Sequence, residues 1–405
     1  MTGSPASASP DSARAVPVLM GIVFISLIGF GVVIPLLPFY ASVFSASAWQ
    51  VTLMFAVFAG GQFFGELFWG RLSDRIGRKP VILGTILVSA AGYVALAYAP
   101  NIWLAILARG VSGIFSGNIS TIQGYIVDVT PRERVAGRLG LIGSAFGVGF
   151  VVGPTLGGLL AQPELGAAGF RPPLLAAAGL CLVAALCVLV FVRESKAREE
   201  PLVRPPGPLA ALAGAVRDPV LRQLMAGSFL SFAGFSAMWA TFGLWGAERF
   251  GWGPRDIGFV MALTGVASAA SQGLLSGYVA RRLGEVATVM TGLFATAVFL
   301  LAQAASPWAW LSVVFMVIAV VGHTMSQPAT SSLVSQAAPP DQQGAALGAN
   351  NAAGAAARVT GPVLAGFVFS ALGSWAPFVL AALGVVPAAL LMRAGGRALA
   401  HRRRL

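Results

Sequence analysis

The chain has 405 residues, of which 57% are hydrophobic and only 10% charged, against roughly 45–50% and 25% in an ordinary soluble protein. A soluble fold is excluded: a mean hydropathy of +0.82 with 50 Gly and 25 Pro indicates apolar helices carrying the breakers that membranes tolerate. The formal charge of +12 comes from loop positives, so no nucleic-acid partner is implied, and the tail Arg402-Arg403-Arg404 suits the anionic headgroups of a lipid bilayer.

Along the chain, residues 1–15 read as a disordered lead with no signal-peptide cleavage site after it, so the first apolar helix is retained. The uncharged runs 15–65 and 286–340 are each about twice the ~20 residues of one crossing, so each holds two helices. Cutting every run at its turn residues predicts twelve spans: 16–40, 48–70, 80–98, 102–128, 136–161, 172–192, 219–246, 256–280, 285–304, 308–335, 345–371 and 375–393. An even number places both termini on one side. Of the 26 Lys and Arg, 21 fall on that side, three (Arg171, Arg249, Arg255) on the other and two (Arg109, Arg358) inside helices, so the positive-inside rule predicts cytoplasmic termini. Cys181 and Cys187 lie on different faces of the sixth span, which implies neither a disulfide nor a metal pair.

An internal repeat divides the chain. Leu139-Gly140 aligns with Leu347-Gly348, Gly153-Pro154 with Gly361-Pro362, and Gly158 with Gly366, all at an offset of 208. Gly70 answers to Gly277 at an offset of 207. The predicted organisation is a lead (1–15), a six-helix half (16–193), a cytoplasmic linker (194–218), a second six-helix half (219–394) and a basic tail (395–405). Two parallel six-helix repeats are the signature of a rocker transporter with its site at the midplane between them. At this point the chain resembles the major facilitator superfamily over almost its whole length. That resemblance implies an all-α polytopic fold of twelve transmembrane helices in two pseudo-symmetric halves.

The strongest motif is G-R-L-S-D-R-I-G-R-K, Gly70 to Lys79, which resembles the superfamily's signature loop. It implies a conformational latch: Gly70 for close helix approach, Gly77 for a tight turn, and Asp74, Arg75, Arg78 and Lys79 for salt bridges that break when the halves rock. By the same resemblance Asp74 faces the start of the eleventh helix, where a helix N-terminus favours negative charge, and Arg78 reaches Asp128. The second copy keeps Gly277, Arg282 and Gly284 but has Ala280 and Arg281, so the latch is expected to be asymmetric. The fifth span carries G-V-G-F-V-V-G-P-T-L-G-G, similar to the motif of the superfamily's exporters and antiporters. Gly149, Gly153 and Gly157 fall four apart, which lets a neighbouring helix reach backbone contact; Pro154 and Gly158 complete the motif. The first span, Gly29 to Tyr40, resembles the twelve-helix drug:proton antiporters, including the bacterial tetracycline exporters. Where several of those carry an acid, this chain has Ser26.

A charge at the bilayer centre costs roughly 2.5–3.5 kcal/mol on insertion scales, so Glu66, Arg109, Arg358 and His323 stand out as proton-coupling candidates. Glu66 is the acid proposed to carry the proton, paired across the half-interface with Arg358; a static ion pair is the competing reading. Arg109 stands at the position of the family's membrane arginine and heads a stripe of Gly113, Ser116, Ser120 and Gln123 on one helix face. That stripe faces either water and substrate or a packed helix. His323, Gln327 and Thr330 share a face of the tenth span. Further cavity candidates are Ser26, Phe30, Gln62, Ser231, Phe235 and Trp239, with Tyr40, Ser228 and Phe242 nearby.

The combined reading is a proton-coupled, alternating-access exporter of an amphipathic small molecule, neutral or anionic. It is expected to act as a monomer in the plasma membrane, a bacterial inner membrane. An importer or facilitator of a metabolite such as an organic acid is the alternative, favoured by the missing acid in the first span. No cofactor or metal is implied, and no enzyme either: His323 and His401 are far apart, and no G-x-x-x-x-G-K-[ST] loop is present.

Overall fold

The structure, a computed structural model, describes residues 10–130, 132–195, 208–339 and 342–403. Eleven helices in it are long and apolar enough to cross a membrane, and the 29-residue helix Arg132–Leu160 is the twelfth. In chain order they are α1 (Met20–Ser42), α2 (Ala48–Ile76), α3 (Arg78–Ala97), α4 (Ile102–Asp128), α5 (Arg132–Leu160), α6 (Pro163–Phe191), α7 (Pro219–Phe250), α8 (Pro254–Leu283), α9 (Glu285–Ala304), α10 (Ala309–Ala337), α11 (Gln343–Leu372) and α12 (Ala376–Arg402).

Several boundaries differ from the sequence reading, each for a local reason. The helix leading into α1 begins at Pro10, so the lead is shorter than expected; proline's fixed φ suits a first helical turn. Near its far end α1 tightens into a 3-10 turn at Ile34–Leu36, because Pro35 has no N–H for the helical ladder. The fourth span breaks at Gly117-Asn118, between helices ending at Ser116 and starting at Ile119. In α8 one turn, Ser271–Leu275, is a π-helix. The linker holds a helix at Pro208–Arg217 packed against α11. α12 runs to Arg402, so most of the basic tail is helical.

In lipid, apolar side chains gain little by meeting one another, so helices associate by close backbone approach. Small residues supply that approach here. Across α2 and α4, a Cβ at Gly65 would overlap the Ile114 carbonyl oxygen, and one at Gly113 the Phe58 carbonyl oxygen. The Gly149, Gly153, Gly157 face of α5 meets α1, where a Cβ at Gly153 would stand 2.7 Å from Gly31 Cα. On its other side α5 meets α8: a Cβ at Gly158 would lie 2.6 Å from the Pro254 carbonyl oxygen. α11 repeats this arrangement, with Gly361 against Ala233 of α7 and Gly366 against Trp49 and Thr52 of α2. The repeat pairs Gly153/Gly361 and Gly158/Gly366 thus do the same two jobs, one joining helices within a half and one joining the halves.

One hydrophobic core is drawn wholly from residues 22–192 and a second from residues 215–399. A third joins Ile34 to Met238, Phe242, Trp245 and Phe378. This third cluster, the α5–α8 contact at Gly158 and the α11–α2 contact at Gly366 all lie at the end of the bundle remote from both termini. At the terminus-bearing end, Asp218 caps α7: its Oδ1 accepts from the Val220 and Leu221 N–H groups, and its Oδ2 accepts from Arg402 at 2.8 Å.

Gly65→Ala is expected to lower the melting temperature of the detergent-solubilised protein, because overpacking costs about 1–3 kcal/mol; Gly179→Ala, with open space at its Cβ position, leaves it unchanged. Partial burial by itself would raise the Asp218 pKa, but the Arg402 hydrogen bond and the two backbone donors outweigh it and hold the carboxyl below the usual range. A depressed carboxylate contributes stability above its unfolded pKa and loses it as pH falls. Melting curves should therefore show Asp218→Asn flattening the loss of stability on acidification below about pH 5.

Candidate functional site

At the α2–α3 turn, Gly77 has φ +106°, a backbone region open chiefly to glycine. Lacking a side chain to cap α3, it leaves the helix's first N–H groups to find an acceptor elsewhere. Glu194, beyond the end of α6, supplies it: Oε1 accepts from Arg78 N–H at 2.7 Å and Oε2 from Lys79 N–H at 3.1 Å. Lys79 Nζ in turn donates to the Leu189 carbonyl at 2.9 Å. The Arg78 side chain is buried and makes three contacts: Nη2 to Asp74 at 2.9 Å, Nε to Asp128 at 3.2 Å and Nη1 to Ser73 Oγ at 2.6 Å. The expected Arg78–Asp128 contact is present, and Gly70 lies close to Ser120 of α4. Arg75 is exposed. The sequence reading missed Glu194 and Ser73; the uncapped start of α3 was the available signal for an acceptor.

The second copy is built differently. Gly284 repeats the positive φ at +83°, but Glu285 follows it, and its carboxylate accepts from Gln336 Nε2 at 2.7 Å and from Ser332. With repeat offsets of 207 and 208, Glu285 and Gln336 stand where Arg78 and Asp128 stand in the first half. The asymmetry expected from sequence is therefore a carboxylate–amide contact in place of an ion pair.

Deeper in the bundle the candidates divide. Arg109 is 2% exposed; its guanidinium stacks 4.0 Å from the Phe58 ring centre, and its Nε and Nη1 have no hydrogen-bond partner. Phe58 stacks on Phe30 at 5.2 Å, and Phe30 meets Phe150 edge-on at 6.1 Å. Much of the α4 stripe is turned onto α2, because glycines admit the α2 backbone there. Gly113 packs on Phe58, and Ser120 Oγ donates to the Glu66 carbonyl at 3.3 Å. Ser116 is half-buried and Gln123 exposed.

Glu66 on α2 and Arg358 on α11 stand on opposite sides of the half-interface, near enough for their opposite charges to attract. Among the described residues no direct ion pair closes between them. The reason is register: Gly60 of α2 packs on Val359 of α11, and six helical residues from Gly60 to Glu66 span about 9 Å. Arg358 turns its Nη1 back toward Gly354, the side on which Glu66 lies. Gln62 is half-buried one turn from Glu66.

His323 is buried and neutral in its contacts. Gln327 Nε2 lies 3.2 Å from its Nε2 and Ser231 Oγ 3.3 Å from its Nδ1. With the Gln327 amide donating, Nε2 accepts and Nδ1–H donates to Ser231, a single consistent tautomer. Phe235 stacks on the imidazole at 3.8 Å and packs edge-on to Trp239 at 5.9 Å. Phe30, Phe150, Phe235 and Trp239 all pack against the cluster that joins the halves. Two aromatic candidates are corrected. Phe242 is 0% exposed among Trp245 and Trp252, and Tyr40 donates to the Leu96 carbonyl at 2.7 Å, so both are structural core. The Ser26 side chain lies outside the described residues.

The model of the Major Facilitator Superfamily matches residues 19–359 and 224–400. The chain is 31% identical to the class C tetracycline resistance protein of Escherichia coli, over 90% of this chain and 91% of that one. It is 25% identical to multidrug resistance protein 2 of Bacillus subtilis (strain 168), over 90% of each. A crystal structure of a bacterial homologue of the human lysosomal transporter Spinster, inward-facing and unoccupied, superposes with a TM-score of 0.81 at 16% identity, covering 98% of this chain and 99% of that one.

Arg78→Gln strips three acceptors of a charged partner, and hydrogen bonds to charged groups contribute about 1.5–3 kcal/mol each. The variant should therefore melt at a clearly lower temperature than Arg75→Gln, measured side by side in detergent.

Proposed function

The chain belongs to the Major Facilitator Superfamily, and on that premise we propose that it is a proton-coupled exporter of amphipathic small molecules working by alternating access. The observation that carries the proposal is the one-sided seal. Among the described residues, the close contacts that glycines and the third cluster make between the halves run from mid-bundle to the end remote from the termini, and the proposed cleft lies between the halves on the terminus-bearing side. On this proposal the distribution of Lys and Arg puts that face in the cytoplasm of a bacterial cell, and the arrangement corresponds to the inward-open state of the cycle. A substrate entering from the cytoplasm meets the aromatic floor of Phe30, Phe150, Phe235 and Trp239. Gln62, Ser116, Gln123 and Gln327 supply polar contacts around it, while Ser120 and Ser231 stand behind them, held by the Glu66 carbonyl and by His323.

Glu66 and Arg358 give the cleft a proton-sensitive pair. Deprotonated Glu66 attracts Arg358 across the interface, whereas protonated Glu66 does not. Because the two groups stand on opposite halves, the proton shifts the balance between inward- and outward-open states by its differential affinity for them. The groups reaching the cleft lean neutral or positive, which favours neutral or anionic substrates over bare cations. The names of the relatives, a tetracycline resistance protein and a multidrug resistance protein, support an organic amphiphile. Arg78, with Asp74 and Asp128, forms the latch, to which Gly70, Arg75, Gly77 and Lys79 belong; its contacts lie within the first half, and Asp74 is the member that would meet the start of α11 when the halves close on that side. The cleft lies within one chain, so a monomer suffices.

The test is accumulation of labelled neutral, anionic and cationic amphiphiles in efflux-deficient cells, with and without a protonophore. Lower accumulation that the protonophore abolishes is expected, with neutral and anionic probes affected most. Glu66→Gln should cut the proton-driven component by about five-fold or more, the lower range of allosteric coupling. Higher accumulation of any probe would make the protein an importer, and full proton-driven export by Glu66→Gln would remove Glu66 from the coupling.

A further inference from the structure

We propose that the groove between α8 and α10 seats one anionic phospholipid, with its phosphate at Arg281 and an acyl chain along Leu274 and Tyr278. The groove encloses about 660 Å³ and is walled by Leu274, Leu275, Tyr278 and Arg281 on α8 and by Val321 on α10. Its shape comes from the backbone. The π-turn at Ser271–Leu275, closed by a hydrogen bond from Ser276 N–H to the Ser271 carbonyl, inserts an extra residue and shifts the face that follows it. Two hydroxyls then pin α8 to α10 behind the groove, Ser271 Oγ to the Val321 carbonyl at 3.0 Å and Ser276 Oγ to the Met325 carbonyl at 2.9 Å.

The apolar wall faces the membrane. Leu274 is 76% exposed, the most exposed large apolar side chain on α8, and it continues a bilayer-facing stripe that holds Leu263 and Val266. Acyl chains are the material that covers such a surface in a bilayer.

Charge complementarity identifies the headgroup. Arg281 closes the groove at the terminus-bearing end, and its Nη1 lies 3.5 Å from where a Cβ at Gly277 would stand, so the guanidinium turns back along the helix toward the groove. Among the described residues no carboxylate pairs with it. The nearest acid in the chain, Glu285, is engaged by Ser332 and Gln336 of α10. A basic site between transmembrane helices at a leaflet boundary binds anionic headgroups. A groove between the matching helices of the first half, α2 and α4, encloses about 470 Å³, lies nearer the remote end and is walled by Phe64, Trp103, Leu107 and other uncharged residues. It therefore serves as an internal comparison with the apolar wall and without the cation.

The experiment uses the purified full chain in phosphatidylcholine vesicles doped with photoactivatable phosphatidylglycerol or, in parallel, photoactivatable phosphatidylcholine. Cross-links are mapped by peptide. Labelling of the peptide spanning residues 263–281 should favour phosphatidylglycerol by about five-fold, the factor one basic residue contributes near an anionic surface, while the α2–α4 groove labels equally with both. Arg281→Gln should bring the ratio at α8 to about one, and Arg281→Lys should preserve it. Equal labelling of α8 by both lipids in the wild type overturns the proposal, and so does an unchanged ratio in Arg281→Gln. The wild-type ratio decides even where a variant fails to fold.

Discussion

Close backbone approach between helices is the constraint on which this molecule depends. Lipid tails are as apolar as leucine, so burying leucine between helices provides little drive, and packing density must come from surfaces that fit. Gly61, Gly65, Gly113 and Gly117 bring α2 and α4 into backbone contact, and Gly31 and Gly153 do so for α1 and α5. Every later feature rests on those crossings. Phe58 can lie over Arg109 only because Gly113 lets the two backbones touch, and Glu66 reaches the half-interface only from the rail that Gly65 and Gly117 set.

The same economy distinguishes contacts within each half from contacts between the halves. Within each half, the α5–α1 and α11–α7 crossings are glycine against backbone. Between halves, the close contacts among the described residues run from mid-bundle to the remote end and mix small residues with aromatic rings, Trp49 stacked on Phe367 at 6.4 Å among them. At the opposite boundary the chain uses polar contacts instead. Arg78 gathers two carboxylates and a hydroxyl, and Glu194 ties the end of α6 to the start of α3. Polar ties at a water-facing edge can exchange partners with solvent, which apolar packing cannot do, so the proposed rocking would be accommodated at that end.

Ionisable groups inside the membrane are handled in three ways. Arg109 is covered by an aromatic face and keeps two N–H groups unpaired. His323 has both ring nitrogens satisfied by neutral partners and is stacked on Phe235, which fits a fixed hydrogen-bonding role better than a travelling proton. Glu66 and Arg358, opposite charges on different halves, close no ion pair among the described residues, so the proposed rocking of the halves would change their interaction.

Much of this was legible in the sequence because it depends on local composition and period. Apolar run lengths fix the number of crossings, the offset of 208 fixes the two-fold repeat, and the Gly149, Gly153, Gly157 spacing fixes a face for close contact. The resemblance of the Gly70–Lys79 loop also anticipated the reach of Arg78 to Asp128. Other features could not be read there. Whether the Arg109 stripe faces water or α2, whether Tyr40 and Phe242 line a cavity or fill a core, which acceptor caps α3, and at which end the halves meet depend on the neighbour a helix face receives. Helical period states which side chains share a face, but only the packed bundle decides what that face touches, because the partner comes from a distant part of the chain and backbone geometry selects it.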